Sequence, residues 1–238
     1  SLAPKENWER TGRLEVVDTL FKTAPANENS KNKANSEYIL NPTHEEIVTP
    51  IAKEYGLSYK DFPFAYYQIQ TKFRNEARAK SGILRGREFR MKDLYSFHAE
   101  EKDFEEYYEA AKQSYLDFYK DVGLREDTYI TSASGGDFTN KFSHEFQVVC
   151  EAGEDLIYID KDTGEAFNKE VMGGKDLSKY AEVKASEVGN IFTLETKFTK
   201  AFDVRFTNEK GEKVLVEHMG CYGIGSSRTM GVVVEKFA

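Results

Sequence analysis

The stretch from Tyr66 to His98, YYQIQTKFRNEARAKSGILRGREFRMKDLYSFH, decides the fold. Tyr66, Gln68, Gln70, Lys72 and Arg74 alternate with Tyr67, Ile69 and Phe73, the period of a strand with one polar face and one face that packs. A second alternating run carries Arg85, Arg87, Phe89, Met91 and Asp93 on one side. The intervening Asn75 to Leu84 is too polar and glycine-broken for either strand or helix. An antiparallel hairpin closed by a long basic loop follows. From Arg74 to Lys92 there are seven Lys/Arg residues and two carboxylates, in a chain whose formal net charge is −8. The hairpin is therefore a local cationic island.

That arrangement suits a polyphosphate ligand. Arginine presents a planar fork of donors to phosphate or carboxylate oxygens, and strands hold such forks more rigidly than loops. Phe89, on the same face, is placed to stack on a nucleobase. A solvated basic hairpin with Phe89 in the core fits the composition equally well, since charge runs are usually wet surface.

At 238 residues the chain can bury a full core, as one domain or two small ones. No apolar run approaches the roughly 18 residues of a membrane span, and the N-terminus lacks the charged-then-apolar pattern of a signal peptide. A soluble, cytoplasmic protein with no membrane partner is expected. Cys150 and Cys221 lie far apart without metal-ligand spacing, and His44, His98, His144 and His218 are scattered, so neither a structural zinc site nor a disulfide framework is indicated. The acidic balance confines any RNA contact to local basic patches.

Around the hairpin, Asn27 to Ser36 reads as a loop or hairpin tip. Thr43-His44-Glu45-Glu46 matches a capping box opening a helix with Ile47, Ile51 and Tyr55 as its apolar stripe. From about Glu101 to Val122, Phe104, Tyr108, Ala111, Tyr115, Phe118 and Val122 recur at helical spacing and should face a core. Beyond Gly123 the pattern changes to short alternating runs: Ser143 to Val149, Leu156 to Ile159 before a turn at Asp160 to Gly164, and Phe202 to Phe206 leading through Asn208 to Gly211 into Val214 to Val216. Helices before and between such strands, without regular βαβ alternation, predict an α+β fold built on an antiparallel sheet flanked by helices. The last element, Met219 to Glu235, reads as a strand, a close turn at Gly223 and Gly225, and an apolar helix opened by Ser226-Ser227-Arg228. Its N-terminus would offer backbone N–H groups to an anion. As a dinucleotide fingerprint it is poor, with no third glycine in register.

Taken together, PTHEE (Pro42 to Glu46), YQIQTKFRNEAR (Tyr67 to Arg78), LRGREFRMKDLYSFH (Leu84 to His98), SHEF (Ser143 to Phe146), EAGED (Glu151 to Asp155), EVGNIF (Glu187 to Phe192) and GCYGIGSSR (Gly220 to Arg228) resemble the class II aminoacyl-tRNA synthetases, specifically the bacterial-type prolyl enzymes. The resemblance runs from about Pro4 to Glu235. FRNE and GIGSSR resemble the second and third signature motifs, which form the ATP site in that family. It implies one catalytic core over residues 1–238, in which proline and ATP give prolyl-adenylate and the prolyl group passes to tRNA(Pro). It also implies catalysis by positioning and charge without a protein nucleophile.

By that resemblance Arg74 bridges the α-phosphate and the substrate carboxylate, and Glu76 accepts from the adenine amino group or orders the hairpin. Arg85 reaches the ATP phosphates. Phe89 lies under adenine and Arg228 over its other face or at the γ-phosphate, with Ser226 in the turn between. Thr43 and Glu45 match the Thr-x-Glu loop that receives the proline ammonium, although a capping box alone explains Thr43. His144 is a further candidate for proline, with a structural histidine as the alternative, and Cys221 and Tyr222 would form pocket wall. Mg2+ is expected, held mainly by phosphates and water with one unassigned carboxylate. The resemblance implies a homodimer, but the first signature motif, which builds the family's interface, has no match here. Neither an anticodon-binding domain nor an editing domain between Glu165 and Val183 is expected. GGDFTNKF (Gly135 to Phe142) departs from the Gly/Ser-rich run of the family. A synthetase-like module that binds nucleotide or RNA without useful catalysis is the alternative function.

Overall fold

The computed structural model describes residues 1–30, 37–55, 58–133, 138 and 143–238. In chain order its helices and strands are β1 (Leu2–Pro4), α1 (Lys5–Arg10), β2 (Phe21–Thr23), β3 (Tyr38–Leu40), α2 (Glu45–Tyr55), β4 (Phe64–Phe73), β5 (Glu88–His98), α3 (Glu101–Asp121), β6 (Thr128–Ala133) and β7 (Ser143–Val149). They continue with β8 (Asp155–Asp160), β9 (Ala166–Asn168), β10 (Tyr180–Thr193), α4 (Lys197–Phe202), β11 (Arg205–Thr207), β12 (Lys213–Leu215), β13 (His218–Ile224) and α5 (Ser226–Phe237). An eight-stranded sheet in the order β4-β5-β13-β10-β7-β6-β9-β8 carries the molecule, and β8 also pairs with the first half of β10. The expected α+β architecture stands, with one difference. A short parallel pairing of β6 with β9 makes the sheet mixed rather than wholly antiparallel.

Each sheet face has its own core. On one side α3 and α5 pack Phe104, Tyr108, Tyr115, Tyr119 and Val232 against Phe146, Val148, Ile191, Tyr222 and Ile224. On the other, α2 and α4 pack Val48, Ala52, Phe198 and Phe202 against Tyr95, Phe97, Phe192, Met219 and Cys221. A small three-stranded sheet, β1-β3-β2, covers Trp8 and Ile39. Helix α3 follows its predicted span and stripe, with Tyr119 added at full burial. The turns after β8 and β11 form where the sequence placed them, because the Asp160 and Asn208 side chains accept from backbone N–H groups two residues and more along, and Gly164 and Gly211 supply positive φ.

The hairpin of β4 and β5 runs from Phe64↔Phe97 to Phe73↔Glu88, but its faces are the reverse of expectation. Tyr67 is 73% exposed and Ile69 49%, while Tyr66, Gln68, Gln70 and Lys72 turn inward. This face turns inward because Lys72 finds its buried partners Asp93 and His44 there, and Arg74, next on the same face, lines a cleft. Helix α2 departs likewise: it starts at Glu45, and Ile51 and Tyr55 are exposed, whereas Glu45, Glu46, Val48, Thr49 and Ala52 are buried. The capping box gives way to tertiary partners, with Thr43 donating to Glu45 and Glu46 held by Arg13 and Thr11. The expected loop from Asn27 is described only to Ser30, and of GGDFTNKF only Phe138 lies within the described residues.

Strand β10 bears on both core and cleft at Gly189. A methyl group there would lie 2.5 Å from the Tyr119 hydroxyl and 3.0 Å from the Gly223 carbonyl oxygen. The Tyr119 hydroxyl is buried without a hydrogen-bond partner among the described residues. Gly189→Ala is expected to cost about 1–3 kcal/mol of stability through overpacking. Tyr119→Phe, which removes an unpaired buried hydroxyl, is expected to be neutral or stabilising by up to about 1 kcal/mol. In the double variant the Gly189→Ala loss should shrink in denaturant melts. An undiminished loss would assign the clash to the Gly223 backbone instead.

Candidate active site

One cleft opens on the inward face of the hairpin, and its two lobes share Arg74, Glu76, Met91, Glu187 and Asn190. The first lobe adds Ile83, Leu84, Arg85, Phe89, Gly225 and Arg228. Its far wall depends on a β-bulge: the register of β10 on β7 shifts between Glu187 and Gly189. The Val188 carbonyl then accepts from Gly225 N–H at 2.9 Å and the Glu187 carbonyl from Arg228 Nη1 at 2.7 Å. Arg228 Nε donates to the Leu84 carbonyl at 2.8 Å, so one guanidinium ties the start of α5 to both the bulge and the basic loop.

Arg74 stands where the lobes meet, its guanidinium carbon 5.0 Å from the centroid of Phe89. Burial, and then the Arg228 guanidinium, hold its pKa below the usual arginine value. Two cations kept together out of water form a site that an anion relieves. Gly223 contributes to this floor by absence of a side chain rather than by a turn. It lies within β13, and a methyl there would come 2.5 Å from Met91 Cε and 2.9 Å from Asn190 Oδ1.

The basic loop is tied down by carboxylates. Arg85 donates to Glu76 Oε2 at 3.0 and 3.1 Å and to Glu154 Oε2 at 3.1 Å. Lys80 pairs with Glu154 at 3.4 Å and Ser81 donates to it at 3.3 Å. Against burial, which raises it, the Arg85 and Lys80 charges keep the Glu154 carboxyl below its ordinary value.

The second lobe is lined by Arg13, Thr43, Asp93, Phe138, Phe192 and Cys221, with Glu145 and Glu187 on its acidic side. Glu45 lies directly behind it, fully buried, and its carboxylate is held by three lining side chains: Thr43 Oγ1 at 2.5 Å, Arg13 Nη1 at 3.4 Å and Cys221 Sγ at 3.5 Å. Beside it Lys72 bonds both Asp93 and His44, all three buried. Burial, then the Lys72 charge, bring His44 down to about 3. On β7 and β10, Glu145 is pushed up to about 7 by burial and by the neighbouring Glu187 carboxylate. Gln147 and Asn168 donate to Glu145, and Asn190 to Glu187.

Of the residues singled out from sequence, Arg74, Glu76, Arg85, Phe89 and Arg228 line one lobe and Thr43 the other, with Glu45 beneath. Two do not join them. His144 turns to the opposite face of the sheet, where its Nδ1 bonds the Tyr108 hydroxyl at 2.8 Å, because strand alternation gives the cleft to Glu145. Ser226 donates to the Arg90 carbonyl and Ser227 accepts from Arg90 N–H, so both serines fasten α5 to β5. Tyr222 likewise belongs to the helical face, bonded to Ser96, while Cys221 forms wall as expected. Sequence reading missed Arg13, Lys72 as a buried cation, Glu145, Glu154 and Glu187. Glu154 and Glu187 fall inside the stretches EAGED and EVGNIF, which was the available signal. Arg13 stands in an aperiodic polar segment that offered none.

The tRNA synthetase class II core domain (G, H, P, S and T) matches residues 22–237, and the chain belongs to that family. Within it, the chain is similar to proline–tRNA ligases. It is 37% identical over 245 residues to the probable mitochondrial proline–tRNA ligase of Rattus norvegicus, covering 99% of this chain and 49% of that protein. To the proline–tRNA ligase of Ehrlichia ruminantium it is 33% identical over 267 residues, covering 97% of this chain and 61% of that one. The chain thus spans about half the length of the mitochondrial relatives. Among solved structures, the prolyl-tRNA synthetase of Giardia lamblia in complex with prolyl-adenylate superposes with a TM-score of 0.76 at 17% identity, over 98% of this chain and 41% of that one, which shows the shared fold. No helix among the described residues is long and apolar enough to cross a membrane.

The carboxylate tie of the loop makes a prediction. Glu154→Gln should release Lys80 and Arg85 while leaving the Glu76 contact, so amide hydrogen exchange across residues 79–86 should quicken by roughly three- to tenfold, as loss of partly exposed ion pairs implies. Raising the salt concentration should mimic the substitution in the parent. Unchanged exchange would show that Glu76 alone holds the loop.

Proposed function

We propose that this chain is the catalytic core of a ligase that activates proline with ATP to prolyl-adenylate and transfers the prolyl group to tRNA(Pro). The observation that carries the reading is the position of Arg74 between two lobes of opposite character: one cationic with an aromatic floor, the other backed by the buried Glu45 and Glu46. A zwitterionic amino acid and a polyphosphate would meet at that arginine. Similarity to proline–tRNA ligases supports the choice of amino acid.

In this reading adenine lies between Phe89 and Arg228, and Arg74 leaves its place over Phe89 to fork the α-phosphate and the substrate carboxylate. The proline ammonium enters beside Thr43 toward Glu45. A carboxylate oxygen attacks the α-phosphorus, the bond to the β-phosphate bridging oxygen breaks, and pyrophosphate leaves; no protein group has to move a proton. Charge stabilisation by Arg74 and Arg228 supplies most of the help the chain gives. The ribose hydroxyl at the tRNA 3′ end then attacks the prolyl carbonyl and AMP departs. Glu76 orders the hairpin through Arg85, and Arg85 reaches phosphate only by giving up a carboxylate.

Glu145 and Glu187 fit Mg2+, since two carboxylates crowded enough to raise the pKa of one are relieved by a divalent cation. Bound there with ATP, the ion would neutralise phosphate charge. In this reading phosphates and water supply the other ligands. The loop from Arg78 to Arg87 faces the tRNA acceptor end through salt-sensitive phosphate contacts. The homodimer that the resemblance implies belongs to this reading as an expectation. The rat relative's name places that protein in the mitochondrion, so the cytoplasmic location expected from this sequence is one of two that fit the family.

Proline-dependent ATP–pyrophosphate exchange, run against a panel of amino acids, tests the reading. Arg74→Lys and Arg228→Ala should each abolish most exchange while the chain stays folded, because a point charge does not replace a bidentate fork. Near-parental exchange in either would remove the ATP-site assignment. Glu45→Gln should weaken proline about ten- to a hundredfold and leave ATP affinity nearly unchanged. ATP binding without exchange for any amino acid would favour a binding module.

A further inference from the structure

The amino-acid end of the cleft holds more acid than base. Arg13, just beyond α1, is 3% exposed, and the rings of Phe138, Trp8 and Phe198 surround its guanidinium at 4.7, 5.1 and 5.3 Å. Its Nη1 donates to both oxygens of Glu46, at 2.9 and 3.1 Å, and to Glu45 at 3.4 Å. Both carboxylates are fully buried.

Among the described residues, the other titratable groups around them do not supply a second positive charge. Lys72 is spent on Asp93, which cancels its charge, and burial brings the Lys72 ammonium down to about 7 against the pull of Glu45, so it adds no net positive charge here. His44 beside them is neutral, and burial pushes the Tyr95 phenol and the Cys221 thiol up, so both stay protonated. Arg10 turns away over Phe202, and Lys53 bonds the Phe202 carbonyl. Two carboxylates therefore face one guanidinium, which leaves one negative charge in excess where little water can solvate it. Only an incoming cation or a bound proton completes such a site.

Resting on the proline reading above, we propose that Glu46 is a positioning residue that carries a proton in the empty site and yields it to solvent when the substrate ammonium enters beside Glu45, so that amino-acid binding and proton release are one event. Glu46 does not line the cleft. Its carboxylate is taken up by Arg13 and by the Thr11 hydroxyl at 3.0 Å, and it acts through Arg13 and Glu45. Burial and the neighbouring Glu45 push its carboxyl up to about 7 against the pull of Arg13 and Thr11. An arriving ammonium lowers that value, so the proton leaves. The sign follows: affinity is at its full value above about pH 7 and falls as pH drops, by up to about tenfold per unit. Proline's own amine and carboxyl titrate well outside this window.

Calorimetric titration of the chain with proline, in phosphate and in Bis-Tris buffers of very different ionisation heat, reads the proton directly. Roughly half a proton should be released at about pH 7 and nearly one at about pH 6, with Kd rising about fivefold between them. Tetrahydrofuran-2-carboxylate, which replaces the amine by a ring oxygen, should release none; release with it would place the proton elsewhere and overturn the proposal. A folded Glu46→Gln variant should lose both the release and the pH slope, and persistent release there would overturn the assignment. Should that variant fail to fold, the buffer series on the parent chain still decides: proline bound with no buffer-dependent heat overturns the inference while sparing the functional reading. No binding of proline in any buffer overturns both.

Discussion

A lysine with no access to water can stay buried under the edge strand of a sheet only if charged or polar partners are built around it, and Lys72 has them in Asp93 and His44. That requirement fixes which face of β4 looks inward. Once Lys72 is under the floor, alternation carries Tyr66, Gln68 and Gln70 inward with it and delivers Arg74 to the junction of the two lobes. The same turn sends Tyr67 and Ile69 to the outside, an apolar cost accepted for the pairing of Lys72 and the placement of Arg74.

The rest of the cleft is assembled by backbone irregularity. A regular β10 would not present the Glu187 and Val188 carbonyls where the β13–α5 turn needs acceptors; the bulge between Glu187 and Gly189 does. Arg228 is consequently fixed by two carbonyl oxygens before any ligand arrives, and only part of its guanidinium remains for one. The basic loop is restrained more loosely, by ion pairs to Glu76 and Glu154 in which Arg85 stays 44% exposed. A wall fixed by backbone hydrogen bonds therefore stands opposite a loop held by partly exposed ion pairs.

Much of this was legible in the residue order. Period-2 alternation gave the hairpin and its long loop, 3.6 periodicity gave α3 nearly to the residue, and turn chemistry at Asp160 and Asn208 placed two reversals. These are local signals, set by φ/ψ preference and side-chain spacing. Errors came where hydrophobicity was used to assign a face. In β4 and α2 the rule that apolar residues face inward fails because both elements border a site whose walls must be charged, so Ile51, Tyr55, Tyr67 and Ile69 face solvent while Glu45, Glu46 and Lys72 are buried. His144 was misplaced for the related reason that a one-residue step along a strand changes the face.

By itself, then, the sequence determined the α+β class, the cationic hairpin, the long helix α3 and the family, because each depends on local pattern or on motif residues that stand close together in the chain. Tertiary structure alone decided which carboxylates share Arg13, that Glu154 restrains the basic loop, and that Glu145 and Glu187 face each other across neighbouring strands. Arg13 is separated by 32 and 33 residues from Glu45 and Glu46, and Arg85 by 69 from Glu154. Nothing in a single chain records such a meeting. It is set by strand register and by how far desolvated charges must reach for partners, and those quantities exist only once the sheet has formed.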